Sequence, residues 1–280
     1  MVKLGQMNRL KVIKQVDFGL FLDGGNKDID GFGEILLPRR YVPENTQIGD
    51  DLDVFIYLDS EDQYIATTET PKVMLGQFAC LNVAMVNQVG AFLDWGLPKD
   101  LLVPFAQQRP KMEEDRHYVV YVYLDNSGRI AATGRYDKHL NQSKPEYKSR
   151  QKVNVLVAGR TDLGTKVIVE NAHWGQIFQS DITQPLKYGQ KLEAFIKKIH
   201  ENGNIDIMLE QPGYAKIDAL SQSILNKLHA SRGFLPVHDK TDPELIRRLF
   251  LCSKKSFKQA IGGLKRQGLI EIQGQGIKLL

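Results

Sequence analysis

The chain repeats itself, and that repeat limits its possible folds more than any other feature. "LGQMNRLKVIKQVDFGLFLD", starting at Leu4, returns as "LGQFACLNVAMVNQVGAFLD", starting at Leu75. At one constant offset Gly19 falls on Gly90, and Phe21-Leu22-Asp23 on Phe92-Leu93-Asp94. Further along, Tyr57-Leu58-Asp59 matches Tyr123-Leu124-Asp125, and Ile65-Ala66-Thr67-Thr68 matches Ile130-Ala131-Ala132-Thr133, with only the intervening loop changing length. Self-similarity of this kind requires a modular fold in which one small unit is built at least twice.

Each copy reads as all-β. Val12, Val16, Phe18, Leu20 and Leu22 alternate with period two, as half-buried strands do. "GFGEILLP" is a short apolar run between turn signals, and "DLDVFIYLD" and "QYIATTET" are strands joined by the acidic turn Ser60-Glu61-Asp62. Five short strands per copy predict a small Greek-key barrel of the OB type. A fainter third copy runs through "KVNVLVAGRTDLGTKVIVEN", "HWGQIFQSDI" and "YGQKLEAFIKKIHENGNIDIMLEQ", with Asn202-Gly203 as its hairpin turn. "PEYKSR", residues 145–150, reads as a linker. The predicted class is a mainly β multidomain chain: three tandem five-stranded OB barrels over 1–71, 72–148 and 149–213, then a winged helix-turn-helix over 214–280.

The period changes from two to about 3.6 beyond Asp218. Leu220, Ile224, Leu225 and Leu228 share one helical face, and Gly233 stops that helix. A second helix is expected from Thr241, where T-D-P-E resembles a capping box closed by Glu244. Ser253 caps a third helix, which Gly268 ends before "LIEIQ" and "GIKLL", two strands around a Gly-Gln-Gly turn. On the third helix Phe257, Ala260, Ile261 and Leu264 form the apolar arc. Lys254, Lys258 and Lys265 flank that arc, and Lys255 and Arg266 lie further round. Residues 245–270 hold seven basic side chains and no acidic one, forgoing the mixed-sign pairs that usually stabilise a surface helix. Either a nucleic acid supplies the missing charge or the face is simply solvated. Gly262-Gly263 costs about 1 kcal/mol per residue relative to alanine, which close approach of another backbone would justify, either the first helix of this domain or a phosphate strand.

These strings resemble known families. "VDFGLFLD", and "GQIFQSDI" followed by "YGQKLEAFIKKIHENGNIDIMLE", resemble the S1 RNA-binding domain. The arrangement of three barrels followed by "GFLPVHDKTDPELIRRLF", "SKKSFKQAIGGLKRQGLI" and a terminal "GIKLL" resembles the conserved virulence factor B family over essentially the whole chain. The resemblance implies single-stranded RNA held by aromatic side chains on two central strands, with basic residues nearby, and a post-transcriptional regulatory role in bacterial gene expression. Base stacking on aromatic faces, with cations along the backbone, is the physics of such a surface. Carried onto this chain, the first copy has Phe18 and Phe21, with Arg39 and Arg40. The second has Val89 at one aromatic place, Phe92 at the other, and adds Trp95. The third has Leu163 and Val167 at the two places, with Lys166, Trp174 and Phe178 nearby. The family's histidine is absent from all three, replaced by Leu36, Leu102 and Phe178. Trp95 and Trp174 follow turns and are expected to be exposed.

Charge sharpens the expectation. The net of +4 is small, but residues 1–71 carry 7 Lys/Arg against 13 Asp/Glu, a net of −6, whereas residues 215–280 carry 12 against 5, a net of +7. Screening over about 8–10 Å lets these segments act separately, so a polyanion is drawn to the last and repelled by the first. The first barrel is accordingly expected to be a spacer or protein-contact module. No apolar run reaches the roughly 20 residues of a membrane helix, and the N-terminus has no signal-peptide core, so a cytoplasmic protein without membrane contact is expected. Cys80 and Cys252 match no metal or redox spacing and read as reduced packing residues.

Enzyme signatures fail on inspection. "GRTDLGTK", residues 159–166, lacks the Gly-Lys-Ser/Thr order and the following helix of a phosphate loop. "NKDIDG", residues 26–31, opens like a calcium loop but has Leu37 where a bidentate Glu is required. The six histidines show no ligand spacing, and no nucleophile set stands out, so no catalysis, metal or cofactor is expected. Two other readings stay open: a protein-interaction adaptor, ribosome- or polymerase-associated, with degenerate barrels, and duplex-DNA binding through the winged helix.

Overall fold

A computed structural model describes residues 2–27, 31–182, 185–209 and 219–280. The chain divides into two compact units. One comprises residues 1–147, 153–193 and 198–207, and the other residues 148–152, 194–197 and 208–280.

The first repeat supplies β1 (Met7–Val16), β2 (Gly19–Asp23), β3 (Glu34–Pro38), β4 (Asp51–Leu58) and β5 (Tyr64–Thr67), closed as a barrel in the order β1-β2-β3-β5-β4. The second supplies β6 (Phe78–Val86), β7 (Gly90–Asp94), β8 (Leu101–Pro104), β9 (His117–Leu124) and β10 (Ile130–Thr133). The third supplies β11 (Lys152–Thr161), β12 (Gly164–Val169), β13 (His173–Phe178), β14 (Lys191–Ile199) and β15 (Ile205–Met208), again closed in the corresponding order. The middle repeat departs slightly from expectation: its sheet runs β10-β9-β6-β7-β8 and has no ladder between β8 and β10. In the closed barrels a parallel pair fills that seam, Leu36 with Ile65 and Gly175 with Ile205. Here loop bonds draw the two edges together instead, with Gly134 N–H donating to Gln107 O at 2.8 Å and Arg135 Nε to Gln108 O at 3.3 Å.

Two local devices recur in all three repeats. The first strand is irregular at one place, between Val12 and Lys14, Val83 and Met85, and Val157 and Gly159. Such bulges bend and twist a strand enough to help a five-stranded sheet curl. The second strand opens on Gly19, Gly90 or Gly164. A Cβ there would lie 2.2, 2.3 or 2.1 Å from the carbonyl oxygens of Leu37, Val103 and Ile177, so no side chain fits.

The barrels of the first unit are packed against one another. Phe55 and Tyr57 of β4 join the buried core of the second barrel, where Phe55 meets Trp95 edge-on with ring centroids 5.6 Å apart. Leu75 N–H donates to Gly5 O at 2.9 Å, and Arg129 pairs with Asp62. Between the second and third barrels, Phe78, Val119, Leu140, Leu156 and Ile168 form a separate buried cluster. Val119 N–H donates to the Tyr188 hydroxyl there, at 2.9 Å. The segment read as a linker is partly anchored: Pro145 is buried, and the Tyr147 hydroxyl lies 2.9 Å from His173 Nδ1.

The second unit carries α1 (Ala219–Ala230), β16 (Phe234–Leu235), α2 (Pro243–Phe250), α3 (Lys254–Arg266), β17 (Ile270–Gln273) and β18 (Gly276–Leu279). Its strands pair in the order β16-β18-β17, and its core includes Ile224, Leu228, Ile246, Phe257, Ile261 and Ile277. This is a winged helix. The boundary expected between 213 and 214, and the Asp218 start of the first helix, lie outside the described residues. Ser253 caps α3 as expected, its Oγ accepting from Ser256 N–H at 3.1 Å. The cap of α2 is one residue later than expected. Asp242 accepts from Glu244 N–H at 2.7 Å, while Thr241 Oγ1 takes the N–H of His238 in the preceding turn. A carboxylate competes well for an N-cap, so Thr241 is left to order the turn.

Candidate nucleic-acid interface

The glycine turn places one side chain of each barrel in solvent: Phe18 is 60% exposed, Val89 58% and Leu163 64%. The register then identifies the equivalent positions two residues past the glycine. Lys14 pairs with Phe21, Met85 with Phe92, and Gly159 with Lys166. Across the next strand Phe21 faces Leu36, Phe92 faces Leu102 and Lys166 faces Gln176. Lys166, not Val167, is therefore the third barrel's counterpart of Phe21, and Gln176, not Phe178, that of Leu36. The pleat sends alternate side chains to opposite faces, and Val167 points into the core, where it is buried.

On the first barrel Phe21 lies edge-on to Phe18, centroids 6.3 Å apart, and Lys14 Nζ sits 5.3 Å from the Phe21 centroid. Exposed Arg39 donates to Asp17 O at 3.5 Å, and the Arg40 guanidinium lies 4.6 Å from the Tyr41 ring centroid. Other cations on β1 are answered by carboxylates, Arg9 by Asp53 at 3.7 Å and Lys11 by Asp51 at 3.5 Å. Lys14 was missed in the sequence; counting strand partners back from the Gly19 turn would have found it.

On the middle barrel Phe92 is half-buried, and the expectation for Trp95 is overturned. Trp95 is 3% exposed; its indole N–H donates to Lys99 O at 2.6 Å and its ring packs on Phe55. It directly follows β7 and not a turn, and the first barrel covers it.

The third barrel brings its candidates together. Lys166 Nζ stands 3.7 Å from the centroid of Trp174, which is half-buried and also meets Tyr136 at 6.0 Å. Lys166, Trp174 and Phe178 line one open cleft of about 300 Å³ with Leu163, Asn202 and His200. His200 Nε2 is 2.9 Å from Asp206 Oδ2 on the far side of the β14–β15 hairpin. The Asn202-Gly203 dipeptide marked that hairpin, but nothing local showed that it faces Trp174.

In the second unit the apolar arc of α3 is buried as expected. Its basic side chains are not equivalent. Lys254 is half-buried and donates to Lys240 O at 3.3 Å, Lys258 Nζ lies 4.0 Å from Asp239, and Arg266 Nε donates to Gly262 O at 3.3 Å. Lys255 and Lys265 are exposed and form no ion pair or hydrogen bond among the described residues. Acidic compensation thus exists for Lys258, though it comes from outside the stretch read as purely basic. A Cβ at Gly262 or Gly263 would meet nothing within 4 Å, so α1 does not account for the glycine pair.

Comparison with known proteins agrees with this architecture. The S1 domain family matches residues 4–69 and 75–135, and the CvfB-like winged helix domain matches residues 222–279. Both families bind nucleic acid and neither is catalytic, which supports nucleic-acid binding by this chain. Protein YitL of Bacillus subtilis is 26% identical over 276 residues, covering 95% of this chain and 90% of the relative. Conserved virulence factor B of Staphylococcus aureus is 25% identical over 248 residues, covering 84% and 81%. A crystal structure described as a multidomain protein with nucleic acid binding domains from Streptococcus pneumoniae is 24% identical, covers 99% of this chain and 98% of its own, and superposes with a TM-score of 0.45. No described helix is long and apolar enough to cross a membrane. With S1 domains in series and a CvfB-like winged helix after them, the chain is similar over most of its length to conserved virulence factor B proteins.

Proposed function

We propose that the protein is a non-catalytic binder of single-stranded RNA, acting in the cytoplasm. The observation that carries this reading is the cleft of the third barrel, where a cation stands over a tryptophan beside Phe178 and exposed Leu163. An aromatic face with an adjacent cation holds an unstacked base and its phosphate without needing a duplex. Phe18, Phe21, Lys14, Arg39 and Arg40 offer the first barrel a second such surface, so it is more than a spacer in this reading. Phe92 contributes on the middle barrel, and Trp95 acts there only as support. Lys255 and Lys265, with Lys254, Lys258 and Arg266, supply attraction for phosphates from the winged helix. A post-transcriptional regulatory role in bacterial gene expression belongs to the same proposal and rests on the resemblance to the conserved virulence factor B family alone.

The test is fluorescence anisotropy with single-stranded RNA, single-stranded DNA and duplex DNA over a range of salt. The expected result is tightest binding to RNA, with a steep salt slope. Replacing Lys255, Lys258 and Lys265 with Gln should lower that slope by about 2, at roughly 0.7 per single-strand phosphate contact. Preference for duplex DNA would move the function to the winged helix. No binding to any probe by folded protein would favour a protein adaptor, to which exposed Met85 and Val89 on the middle barrel would point.

A further inference from the structure

The joint between the first two barrels encloses a cleft of about 410 Å³, within the range of small-molecule sites. Its walls combine apolar and aromatic surface, with Phe92 and Trp95 on one side and Tyr57, on the β4–β5 hairpin, on the other, with a charged rim that includes Asp62, Asp125 and Arg129. Its cations are already engaged. Lys99 Nζ donates to Leu58 O at 3.1 Å and to Asp59 O, and Arg129 pairs with Asp62. No basic group of this cleft is left over for a phosphate.

Three polar side chains are left over among the described residues: Ser60, which is exposed, and the more deeply set Asp100 and Tyr57. The half-buried Asp100 carboxylate accepts no hydrogen bond and forms no ion pair among the described residues. Burial, and then the charge of Asp94, raise its pKa, so the ionised form has lost water and gained no donor in return. The Tyr57 hydroxyl likewise has no hydrogen-bond partner among the described residues. Burial pushes its pKa up to about 12, so it keeps its proton and can donate. A carboxylate is acceptor-only and takes two neighbouring donors best.

The matching ligand is flat, uncharged and apolar-faced, with two adjacent donors beside an acceptor. Among the four RNA bases only guanine has that edge: N1–H and the N2 amine next to O6. Adenine and cytosine present one amine beside an acceptor, and uracil one N–H between two acceptors. We propose that the cleft between the first and second barrels receives one guanine of a single-stranded RNA, its face on Phe92, Asp100 accepting from N1–H and N2–H, and Tyr57 donating to O6. The proposal rests on the single-stranded RNA reading above.

The test uses the full chain and three labelled 12-mers: all-uridine RNA, the same RNA with one central guanosine, and the same with inosine, which lacks the N2 amine. The guanosine should strengthen binding about tenfold over all-uridine RNA, the size of one good bidentate base contact, and inosine should fall between. D100N should remove the guanosine advantage while leaving the all-uridine affinity within about twofold; since the Asp100 side chain forms no hydrogen bond or ion pair among the described residues, the variant should stay folded. Equal affinity of the unsubstituted protein for all three RNAs would overturn the pocket and leave the RNA reading standing. A guanosine advantage that survives D100N would overturn it as well. Binding to none of the three would remove the pocket together with the reading on which it rests. Displacement of the guanosine RNA by free GMP at concentrations comparable to the RNA would overturn a chain-borne base in favour of a nucleotide ligand.

Discussion

Lys166 holds its ammonium nitrogen 3.7 Å from the centroid of the Trp174 indole, on neighbouring strands of the third barrel. The ring and cation are prearranged, so a base entering the cleft meets a platform whose charge is already in place. That lowers the ordering cost of binding, which flexible surface lysines normally incur.

If this pair binds RNA, its two members should fail differently. Trp174→Ala should weaken binding to single-stranded RNA by about 1–3 kcal/mol, the worth of one stacked base. It should also lower stability, because the ring packs on Tyr136. Lys166→Gln should leave the melting temperature nearly unchanged and reduce the salt slope by about 0.7. Anisotropy titrations at several salt concentrations, beside thermal melts of each variant, separate the two effects.

Gly262 and Gly263 give a prediction of opposite sign for stability and binding. Both lie inside α3, and both would accept a methyl group into open space. Alanine at either should stabilise the winged helix by up to about 1 kcal/mol, measured by urea denaturation. Loss of nucleic-acid affinity in the same stabilised variants would show that a phosphate strand uses the bare helix surface. Unchanged affinity would show that it does not.

Trp95 should behave as a core residue. Trp95→Ala removes the edge contact with Phe55 and the indole bond to Lys99 O, and should cost about 3–5 kcal/mol of stability. In Trp174→Phe protein, the remaining tryptophan emission should resist quenching by iodide until the chain is unfolded.

Stability should fall on acidification below about pH 6.5. His139, stacked on Tyr121 with ring centroids 4.3 Å apart, and His173, beside the Tyr147 hydroxyl, each have a buried Nε2 without a partner among the described residues. Burial lowers the pKa of both, and the neighbouring Lys138 adds to the effect at His139. The unfolded chain then takes up protons near the ordinary value of about 6.5 while the folded chain does not. The stability these neutral rings contribute is present above that pH and is lost progressively as pH falls toward their folded values. Urea midpoints measured from pH 7.5 to 5 should decline, and His139→Gln with His173→Gln should flatten the decline.

Much of this molecule is legible in local sequence, because its signals are local. Gly19, Gly90 and Gly164 mark the same turn in all three repeats, and only glycine fits beside the carbonyl there. Alternation along β2 and the four-residue arc of α3 assign buried faces without reference to any neighbour, since strand and helix periods alone decide which side chains share a side. The repeat count, the order of strands and helices, and the caps at Ser253 and Gly268 belong to this class.

Tertiary structure decided what the repeats do to one another. Trp95 and Trp174 both read as turn-following and exposed in the sequence, yet the first barrel buries Trp95 while Trp174 stays at an open cleft, because exposure depends on which barrel packs where. The pairing of Lys166 with Trp174, the engagement of Lys258 by Asp239, and the shared cleft of Asp100 and Tyr57, unpartnered among the described residues, all join positions from separate elements. Sequence spacing carries periodicity along one element. The distance between elements follows only from how bulges, closed sheets and buried aromatics fit together in three dimensions.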